Sequence, residues 1–350
     1  MLSAAVIGCG RMGAFTRPEV AAAVPPGWLP LSHADAIDAT PGLRLDALCD
    51  PDADALRRAG ARHATARLFT DVGTMLRDAR PQIVTIATRM PARREIFEAA
   101  AHGGVLGIHC EKPFARSIDE ADLFADLLTR NVIAFSYGAT RRYHAIYRRA
   151  AAMIAHGAIG ELREIVVGFG AGRLLWTHAH SIDLFLFLGG CDDIDWVQAE
   201  LATDMPPHGD EIDSDPLVRT AIIRLANGAN GVICDLGGCD TLIAGSTGTI
   251  RIAADGASLE HATQSESGYF HLASHIKAEP GPSATQCALA ELSVRASDRR
   301  RRSPELAAAR MGTRILLAMV DSHRRGGLRV RLDDVPRTLT VTGRVGALTA

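Results

Sequence analysis

The chain has 350 residues, of which 47% are hydrophobic and 22% are charged, and its net charge is −2 at pH 7. These proportions are typical of a globular protein large enough for two domains, and they exclude a disordered or fibrous chain. The near-neutral charge gives no electrostatic reason to expect nucleic acid or an anionic membrane as a partner, and no apolar run is long enough to span a bilayer.

The amino terminus and the cysteines favour a cytoplasmic location. An apolar run leads directly into a glycine turn, without the basic start and long apolar segment of a secretion signal. The seven cysteines are an odd number and are scattered singly, so no disulfide framework is expected. Cys234 and Cys239 form the closest pair, but no second pair with zinc spacing accompanies them, so we expect no metal site.

The first 136 residues alternate predicted strands with predicted helices. Apolar or β-branched runs that end at turn residues predict strands at 4–7, 43–49, 83–87, 105–110 and 132–135. The stretches between them predict helices at 32–40, 52–61, 91–102 and 117–130. Strands that alternate with helices indicate a doubly wound parallel sheet, so we expect an α/β Rossmann domain over residues 1–136.

The pattern changes beyond residue 136. Helices are predicted at 141–156, at 178–188 and from 303 to about 324, and strands at 165–169, 196–202, 218–225, 231–236, 241–244 and 249–252. This order predicts a second, α+β domain over residues 137–350, built on a largely antiparallel open sheet. We interpret the arginine cluster at 299–302 as a solvated start of the late helix rather than a nucleic-acid surface.

A glycine-rich turn follows the first strand, with the sequence Gly8-Cys9-Gly10-Arg11-Met12-Gly13. In the pattern G-x-G-x-x-G the first glycine permits a tight turn, the second lets a pyrophosphate approach the backbone, and the third lets the next helix pack closely. Backbone amides at the start of that helix can bind the anion. We therefore expect these six residues to contact a nicotinamide dinucleotide.

An acid is expected at the end of the second strand, and Asp50 occupies that position. A carboxylate there can accept hydrogen bonds from the ribose hydroxyls and repel a 2′-phosphate, which favours NAD over NADP. The alternative is that Asp50 merely caps the helix that begins beyond Pro51.

Asp50 lies 37 residues after Gly13, where about 20 would be usual. The segment 15–31 contains four prolines, which exclude a continuous helix. We therefore predict an inserted loop after the glycine turn, starting where the pyrophosphate would bind and able to cover cofactor or substrate.

Lys112 stands out because only two of the 38 basic residues are lysines. It lies in Glu111-Lys112-Pro113, directly after the fourth predicted strand of the first domain, at the carboxyl edge where open α/β sheets bind ligands. A lysine there can hydrogen-bond a substrate hydroxyl and stabilise the oxyanion that develops as hydride leaves. The alternative is an ordinary surface lysine.

The order of these motifs resembles the glucose–fructose oxidoreductase/inositol dehydrogenase/MocA family. The resemblance rests on the glycine turn, Asp50, Ile86-Ala87-Thr88, Glu111-Lys112-Pro113 and the segment from Arg141-Arg142-Tyr143 to Gly160. His180-Ser181-Ile182-Asp183 continues it, so that it covers nearly the whole chain.

The resemblance implies an NAD(P)-dependent oxidoreductase that acts on a sugar, inositol or related polyol. It implies Lys112 at the reacting centre, His180 as the acid/base, and Thr88 and Glu111 beside the cofactor. It also implies a second-domain sheet that buries its face in a homodimer or homotetramer.

Histidine suits the role of His180, because oxidising an alcohol requires a group that takes the hydroxyl proton and imidazole titrates in the useful range. Asp183 shares a helix face with His180 and either orients its imidazole or serves packing or capping. Arg142 and Tyr143 follow the last strand of the Rossmann domain, and we expect them to contact substrate or nicotinamide, with a plain helix start as the alternative.

The sequence also departs from the family. Many relatives carry an aspartate four residues before the histidine, where this chain has Trp176, and the intervening position that is often glycine is His178. Trp176 removes a carboxylate and offers a flat surface on which a sugar ring could stack, or else it belongs to the core. His178 could replace the lost polar group. The proline and histidine that usually follow the Ile-Ala-Thr strand are Arg89 and Arg93.

Three functions remain open at this stage. The first is a dehydrogenase or reductase in which Lys112 and His180 serve the proton and the oxyanion. The second uses NAD transiently in a redox-neutral elimination, hydrolysis or epimerisation. The third is a non-catalytic nucleotide-binding sensor, which the loss of the aspartate at Trp176 makes credible.

Overall fold

The structure is a computed structural model, and it describes residues 1–191, 193–202, 209–298 and 303–343. The described chain divides into two compact units. The first unit comprises residues 1–115, 120–143 and the described part of 281–307, and the second comprises 116–119 and the described parts of 144–280 and 308–350. The arginine cluster at 299–302 lies outside the described residues.

The first unit contains a six-stranded parallel sheet, as the sequence predicts. Its strands are β1 (Leu2–Ile7), β2 (Leu43–Cys49), β3 (Arg67–Phe69), β4 (Ile83–Ile86), β5 (Gly107–Cys110) and β6 (Ala134–Tyr137). Their spatial order is β3-β2-β1-β4-β5-β6, which is the doubly wound Rossmann order. The direction of winding reverses between β1 and β4, so the ligand-binding crevice of such a sheet begins at the end of β1.

The helices of the chain are α1 (Arg11–Ala14), α2 (Pro18–Ala23), α3 (His33–Asp38), α4 (Ala53–Arg62), α5 (Val72–Ala79), α6 (Arg93–His102), α7 (Ile118–Arg130), α8 (Ala145–Ala155), α9 (His178–Gly189), α10 (Ala284–Ser297) and α11 (Pro304–Arg324). Short 3₁₀ turns lie at Met90–Ala92, Thr140–Tyr143, Ala254–Gly256 and Leu332–Asp334. Helix α2 falls inside the predicted inserted loop. It begins with Pro18, whose missing N–H is not needed in a first helical turn.

Helix α10 belongs to the core of the first unit although it follows about 140 residues later in the chain. Its Leu289, Leu292 and Ala296 lie in the same buried cluster as Ala4 and Val6 of β1. A capping box formed by Ser283 and Gln286 starts the helix. Helix α10, the short strand β3 and the helix α5 were not predicted from the sequence.

The second unit contains a mostly antiparallel eight-stranded sheet, which confirms the predicted α+β class. Its strands are β7 (Leu162–Gly168), β8 (Ile194–Ala202), β10 (Leu217–Leu225), β11 (Asn230–Ile233), β12 (Asp240–Gly245), β13 (Gly248–Ala253), β14 (Ser258–Gln264) and β15 (Phe270–Lys277). They lie in the order β15-β14-β13-β12-β7-β11-β10-β8, with β7 and β11 parallel. Strands β9 (Glu211–Ile212) and β16 (Thr340–Val341) form a separate pair. The strands β14 and β15 were not predicted.

No helix in the described residues combines the length and apolar character needed to cross a membrane.

Candidate active site

The glycine turn connects β1 to α1 through one very close backbone approach. Gly8 has a φ of +94°, and a Cβ added to Gly13 would lie 1.7 Å from the carbonyl oxygen of Gly8. No side chain fits at Gly13, because the turn and the helix touch there. A Cβ added to Gly10 would meet nothing within 4 Å. This open position is the one through which a pyrophosphate approaches the backbone in such turns.

Asp50 is joined to the glycine turn by a hydrogen bond. Its Oδ2 accepts from the backbone N–H of Cys9 at 2.6 Å, and its Oδ1 accepts from the N–H of Asp52 at 2.9 Å. The residue that caps α4 is Asp52, whose side chain accepts from the amides of Asp54 and Ala55. Burial, with the negative charge of Asp50, raises the pKa of the Cys9 thiol to about 12. Asp50 is therefore not the cap of α4, and Cys9 acts through its amide and not as a thiolate.

Lys112 lies at the same edge of the parallel sheet as the glycine turn. The ladder continues past the ends of β4 and β5, since the amide of Ala87 donates to Ile7 and that of Glu111 donates to Ile86. Parallel strands present their carboxyl ends along one edge, which is where ligands of open α/β sheets bind. The Lys112–Pro113 peptide bond is cis. The fold thus gathers the turn, Thr88 and Lys112 along one line.

Glu111 is buried beside two histidines. Its Oε1 lies 3.2 Å from Nε2 of His33 in α3, and the rings of His33 and His109 meet edge to face at 4.8 Å. Nδ1 of His109 lies 2.8 Å from Oγ of Ser136. Burial by itself raises the pKa of Glu111, but the hydrogen bond and the electrostatic interaction with His33, followed by the charge of Lys112, leave the pKa lowered. Burial also lowers the pKa of His109 to about 3, so this imidazole is neutral.

The carboxyl end of the inserted segment 15–31 packs against the first unit. Trp28 is buried in a cluster with Tyr143, Ala284 and Ala288, and the guanidinium of Arg141 lies 5.5 Å from the centre of its ring. The hydroxyl of Ser283 also donates to the carbonyl of Pro30 at 2.7 Å. By contrast, α2 contains no buried residue.

In the second unit, α9 brings His178, His180 and Asp183 together in its first two turns. His178 is fully buried, its Nδ1 lies 3.0 Å from Oγ of Ser181, and burial lowers its pKa to about 4. His180 is partly exposed, and Asp183 is buried.

The segment before α9 is held by a buried carboxylate. Oδ1 of Asp215 accepts from the amide of Leu175 at 2.7 Å, and Oδ2 accepts from the amide of Trp176 at 3.0 Å. The side chain of Trp176 is 47% exposed, so this tryptophan does not belong to the core of its unit.

A family model described as "Oxidoreductase family, NAD-binding Rossmann fold" matches residues 2–138. These residues contain the six strands of the parallel sheet and the helices and turns that connect them. Residues 2–138 therefore match the NAD-binding domain of the Gfo/Idh/MocA oxidoreductase family. Its description as an NAD-binding fold agrees with the glycine turn and with the carboxylate of Asp50 beside it.

Curated relatives match the same part of the chain. D-apiose dehydrogenase from Paraburkholderia graminis is 31% identical over 134 residues, which are 38% of this chain and 36% of that protein. A second D-apiose dehydrogenase, from Rhizobium rhizogenes, is 29% identical over 120 residues, 34% of each chain. The matched segment thus spans about a third of the length of these relatives.

Solved structures match the fold of nearly the whole chain. Levoglucosan dehydrogenase in complex with NADH and levoglucosan has a TM-score of 0.74 and 21% identity, over 96% of this chain and 99% of that one. An inositol dehydrogenase homologue from Azotobacter vinelandii, in complex with NADH and myo-inositol, has a TM-score of 0.71 and 19% identity, over 94% and 97%. At these identities the likeness establishes the fold.

Within residues 2–138, the predicted cofactor residues converge. The glycine turn, Asp50, Thr88, Glu111 and Lys112 lie at one edge of one sheet, although the carboxyl group of Glu111 faces His33 in the interior. Arg142 and Tyr143 lie in the 3₁₀ turn Thr140–Tyr143 and are both buried. In the second unit, the partly exposed Trp176 and His180 contrast with the buried His178. The roles of these residues stay predictions.

Three residues of the site were missed in the sequence. His33 lies 78 residues before Glu111 in the chain and packs against His109, and Asp215 binds the amide of Trp176 from a position 39 residues later. The capping-type spacing of Ser32 and Asp35, whose side chains hydrogen-bond at 2.6 Å, marks the start of α3. It gives no indication of what His33 faces.

Proposed function

We propose that the protein is an NAD-dependent oxidoreductase that transfers hydride between nicotinamide and a carbinol or keto carbon of a sugar, inositol or related polyol. The observation that carries this proposal is the alignment of the glycine turn, Asp50 and Lys112 along the carboxyl edge of one parallel sheet. A dinucleotide bound at the turn extends along this edge in Rossmann domains. Lys112 follows β5 and Asp50 follows β2, and these two strands lie on opposite sides of β1 in the sheet.

The residues present fit the dinucleotide. The open position at Gly10 admits a pyrophosphate, and the lone pairs of Asp50 that the amides of Cys9 and Asp52 leave free can accept from ribose hydroxyls. The same carboxylate repels a 2′-phosphate, which favours NAD over NADP. When bound, the nicotinamide accepts or returns the hydride.

We assign the oxyanion to Lys112 and the proton to His180. The ammonium of Lys112 donates to the substrate oxygen and stabilises negative charge on it. His180 takes the hydroxyl proton during oxidation and returns it during reduction. Of the two histidines at the start of α9, His180 is the one with exposed surface, whereas the buried His178 supports the helix through Ser181.

The remaining predicted substrate residues have different surroundings. The exposed indole of Trp176 can stack on the apolar face of a sugar ring, and its backbone is fixed by Asp215. Arg142, Tyr143 and Asp183 are buried, and their contact with substrate stays a prediction. The sugar or polyol class is supported by the names of the relatives, which are dehydrogenases of apiose, levoglucosan and inositol.

Absorbance at 340 nm tests the proposal directly. The protein is incubated with NAD⁺ and a panel of aldoses, anhydrosugars and inositols, or with NADH and keto-sugars. Net formation or loss of NADH supports the dehydrogenase. Product without a net absorbance change would indicate redox-neutral use of NAD, and tight NAD binding with no turnover of any compound would indicate a sensor. Lys112→Ala and His180→Ala should abolish turnover while NAD still binds, and wild-type turnover in either would remove that residue from the mechanism.

We also propose a homodimer or homotetramer that forms through the second-unit sheet, in a cytoplasmic protein. Leu242, Phe270 and Leu272 are exposed on this sheet. Leu242 pairs with the exposed Arg251, whereas the neighbouring pair of Ile243 and Ile250 is buried on the other face of the sheet. Multi-angle light scattering tests the assembly. A monomer at micromolar concentration, or an unchanged oligomer in Leu272→Arg, would contradict it.

A further inference from the structure

Arg93, the first residue of α6, carries a guanidinium that is almost completely buried. Its Nε and Nη2 donate to the carbonyl oxygen of Thr88 at 3.2 and 2.9 Å. Nη2 also reaches the carbonyl oxygen of Lys112 at 3.4 Å, and Nη1 donates to the carbonyl oxygen of Pro113. The residue is only 2% exposed. One side chain therefore joins the turn after β4 to the turn after β5.

A buried guanidinium is costly unless its donors are satisfied. In the described ranges of the chain no carboxylate lies within ion-pair distance of Arg93, so its partners are main-chain carbonyls. A planar fork with five N–H donors can serve three carbonyls from two turns at once, whereas the single ammonium of a lysine cannot reproduce that geometry. The site is thus specific for arginine by its donor pattern.

We propose that Arg93 is the positioning residue for Lys112. Its guanidinium donates to the carbonyl oxygens of Lys112 and Pro113. These hydrogen bonds fix the short backbone segment that carries the Lys112 side chain. Because Arg93 also binds the carbonyl oxygen of Thr88, it fixes this segment relative to the turn that follows the neighbouring strand β4. The inference rests on the proposed function insofar as Lys112 acts on the substrate.

Such a role follows from how sharply reaction rates depend on placement. A displacement of about 1 Å at a reacting group can cost about 100-fold in rate. Loss of the Arg93 fork frees the turns at Lys112 and Thr88, while the glycine turn and Asp50, which would hold the pyrophosphate and the ribose, make no hydrogen bond to Arg93. Turnover should therefore fall while dinucleotide binding persists.

The test compares Arg93→Lys and Arg93→Gln with the matched control Arg94→Lys. Arg94 is the next residue of the same helix, is exposed, and pairs with Glu98 at 3.1 Å. For each full-length protein, kcat and KM are measured for NAD⁺ and for the best substrate of the panel. Hydrogen exchange is measured by mass spectrometry on the peptides that cover residues 110–118. If Arg93→Lys does not fold, Arg93→Gln, which keeps two amide donors, carries the test.

We expect Arg93→Lys to lower kcat by about 10- to 100-fold with the KM for NAD⁺ changed by less than about twofold, and to accelerate exchange after Lys112. Arg93→Gln should lose at least as much activity, and Arg94→Lys should match the wild type in both measurements. A kcat within twofold of wild type in both Arg93 variants, or unchanged exchange in the 110–118 peptides, would overturn the inference.

The failure of the proposed function is distinguishable from the failure of this inference. Absence of turnover in the wild-type protein on the whole panel would remove the proposed function. The hydrogen-exchange measurement would then test the positioning role of Arg93 by itself. Faster exchange in the Arg93 variants but not in Arg94→Lys would support the positioning of Lys112, and equal exchange in all of them would contradict it.

Discussion

The carboxylate of Glu111 lies 3.2 Å from the imidazole of His33, and both side chains are almost completely buried. The two residues are 78 positions apart in the chain, yet their pairing sets the charge next to Lys112. Burial by itself raises the pKa of Glu111, and the hydrogen bond and electrostatic interaction with His33, followed by the charge of Lys112, lower the pKa below its ordinary value of 4.5.

We expect His33→Leu to cost roughly 3–5 kcal/mol of unfolding free energy at pH 7, as when one partner of a buried pair is removed. Because the folded pKa of Glu111 is lowered, its contribution is present above pH 4.5 and is lost as pH falls through the folded pKa. The deficit of the variant should therefore shrink toward pH 4. Urea unfolding at pH 7, 5 and 4 measures it, with the exposed His102→Leu as control. A deficit that is equal at all three pH values would contradict the role of the carboxylate.

A second pH prediction concerns His109, whose pKa is about 3 instead of 6.5 because of burial. Between these two values the unfolded chain binds a proton that the folded chain does not, so the residue lowers stability progressively as pH falls below 6.5. The slope approaches about 1.4 kcal/mol per pH unit. Unfolding free energies of His109→Leu between pH 5 and 7 should rise with pH less steeply than those of the wild type, by a difference in slope that approaches this value near pH 5 and falls to about half of it at pH 6.5. Parallel curves would show that His109 is accessible to protons.

Gly13 and Gly10 form a matched pair for the glycine turn. In Gly13→Ala the new methyl group would lie 1.7 Å from the carbonyl oxygen of Gly8, so the backbone must move, and we expect a loss of at least about 3 kcal/mol. In Gly10→Ala nothing lies within 4 Å of the new group, so stability should change by less than about 0.5 kcal/mol. The methyl group there would nevertheless obstruct the pyrophosphate, and the Kd for NADH should rise at least about tenfold. Equal NADH affinity in Gly10→Ala and wild type would place the cofactor elsewhere.

Asp50 and Asp52 are adjacent carboxylates with separate roles. Asp50→Ser should weaken NADH binding by about 1–3 kcal/mol, because the ribose hydroxyls lose an acceptor, and should reduce the preference for NADH over NADPH. Asp52→Ser keeps a good cap on α4 and should leave both affinities unchanged. Fluorescence titration with NADH and NADPH gives, for each variant, the ratio of the two Kd values. An unchanged ratio in Asp50→Ser would leave the choice of cofactor to other residues.

Much of the first unit could be predicted from local pattern. Strands β4 and β5 are buried throughout and β1 is buried over its last four residues, so apolar runs mark them in the sequence. The glycine turn and Lys112 follow β1 and β5 directly in the chain. The edge strand β3 has only three residues and is largely exposed, so no such run marks it. Strand β15 is exposed over most of its length, so no buried apolar face marks it in the sequence.

The sequence by itself determined the doubly wound sheet, the position of the glycine turn at the end of β1, and the presence of Lys112 at the end of β5. These features depend on residues that are neighbours in the chain. Only the tertiary structure decided that α10 completes the core of the first unit, that Arg93 joins two turns through their carbonyls, and that His33 faces Glu111. These contacts join separate elements of the chain. They form only when the strands have paired in the order β3-β2-β1-β4-β5-β6 and the helices have packed on the sheet, which excludes water from the buried polar groups.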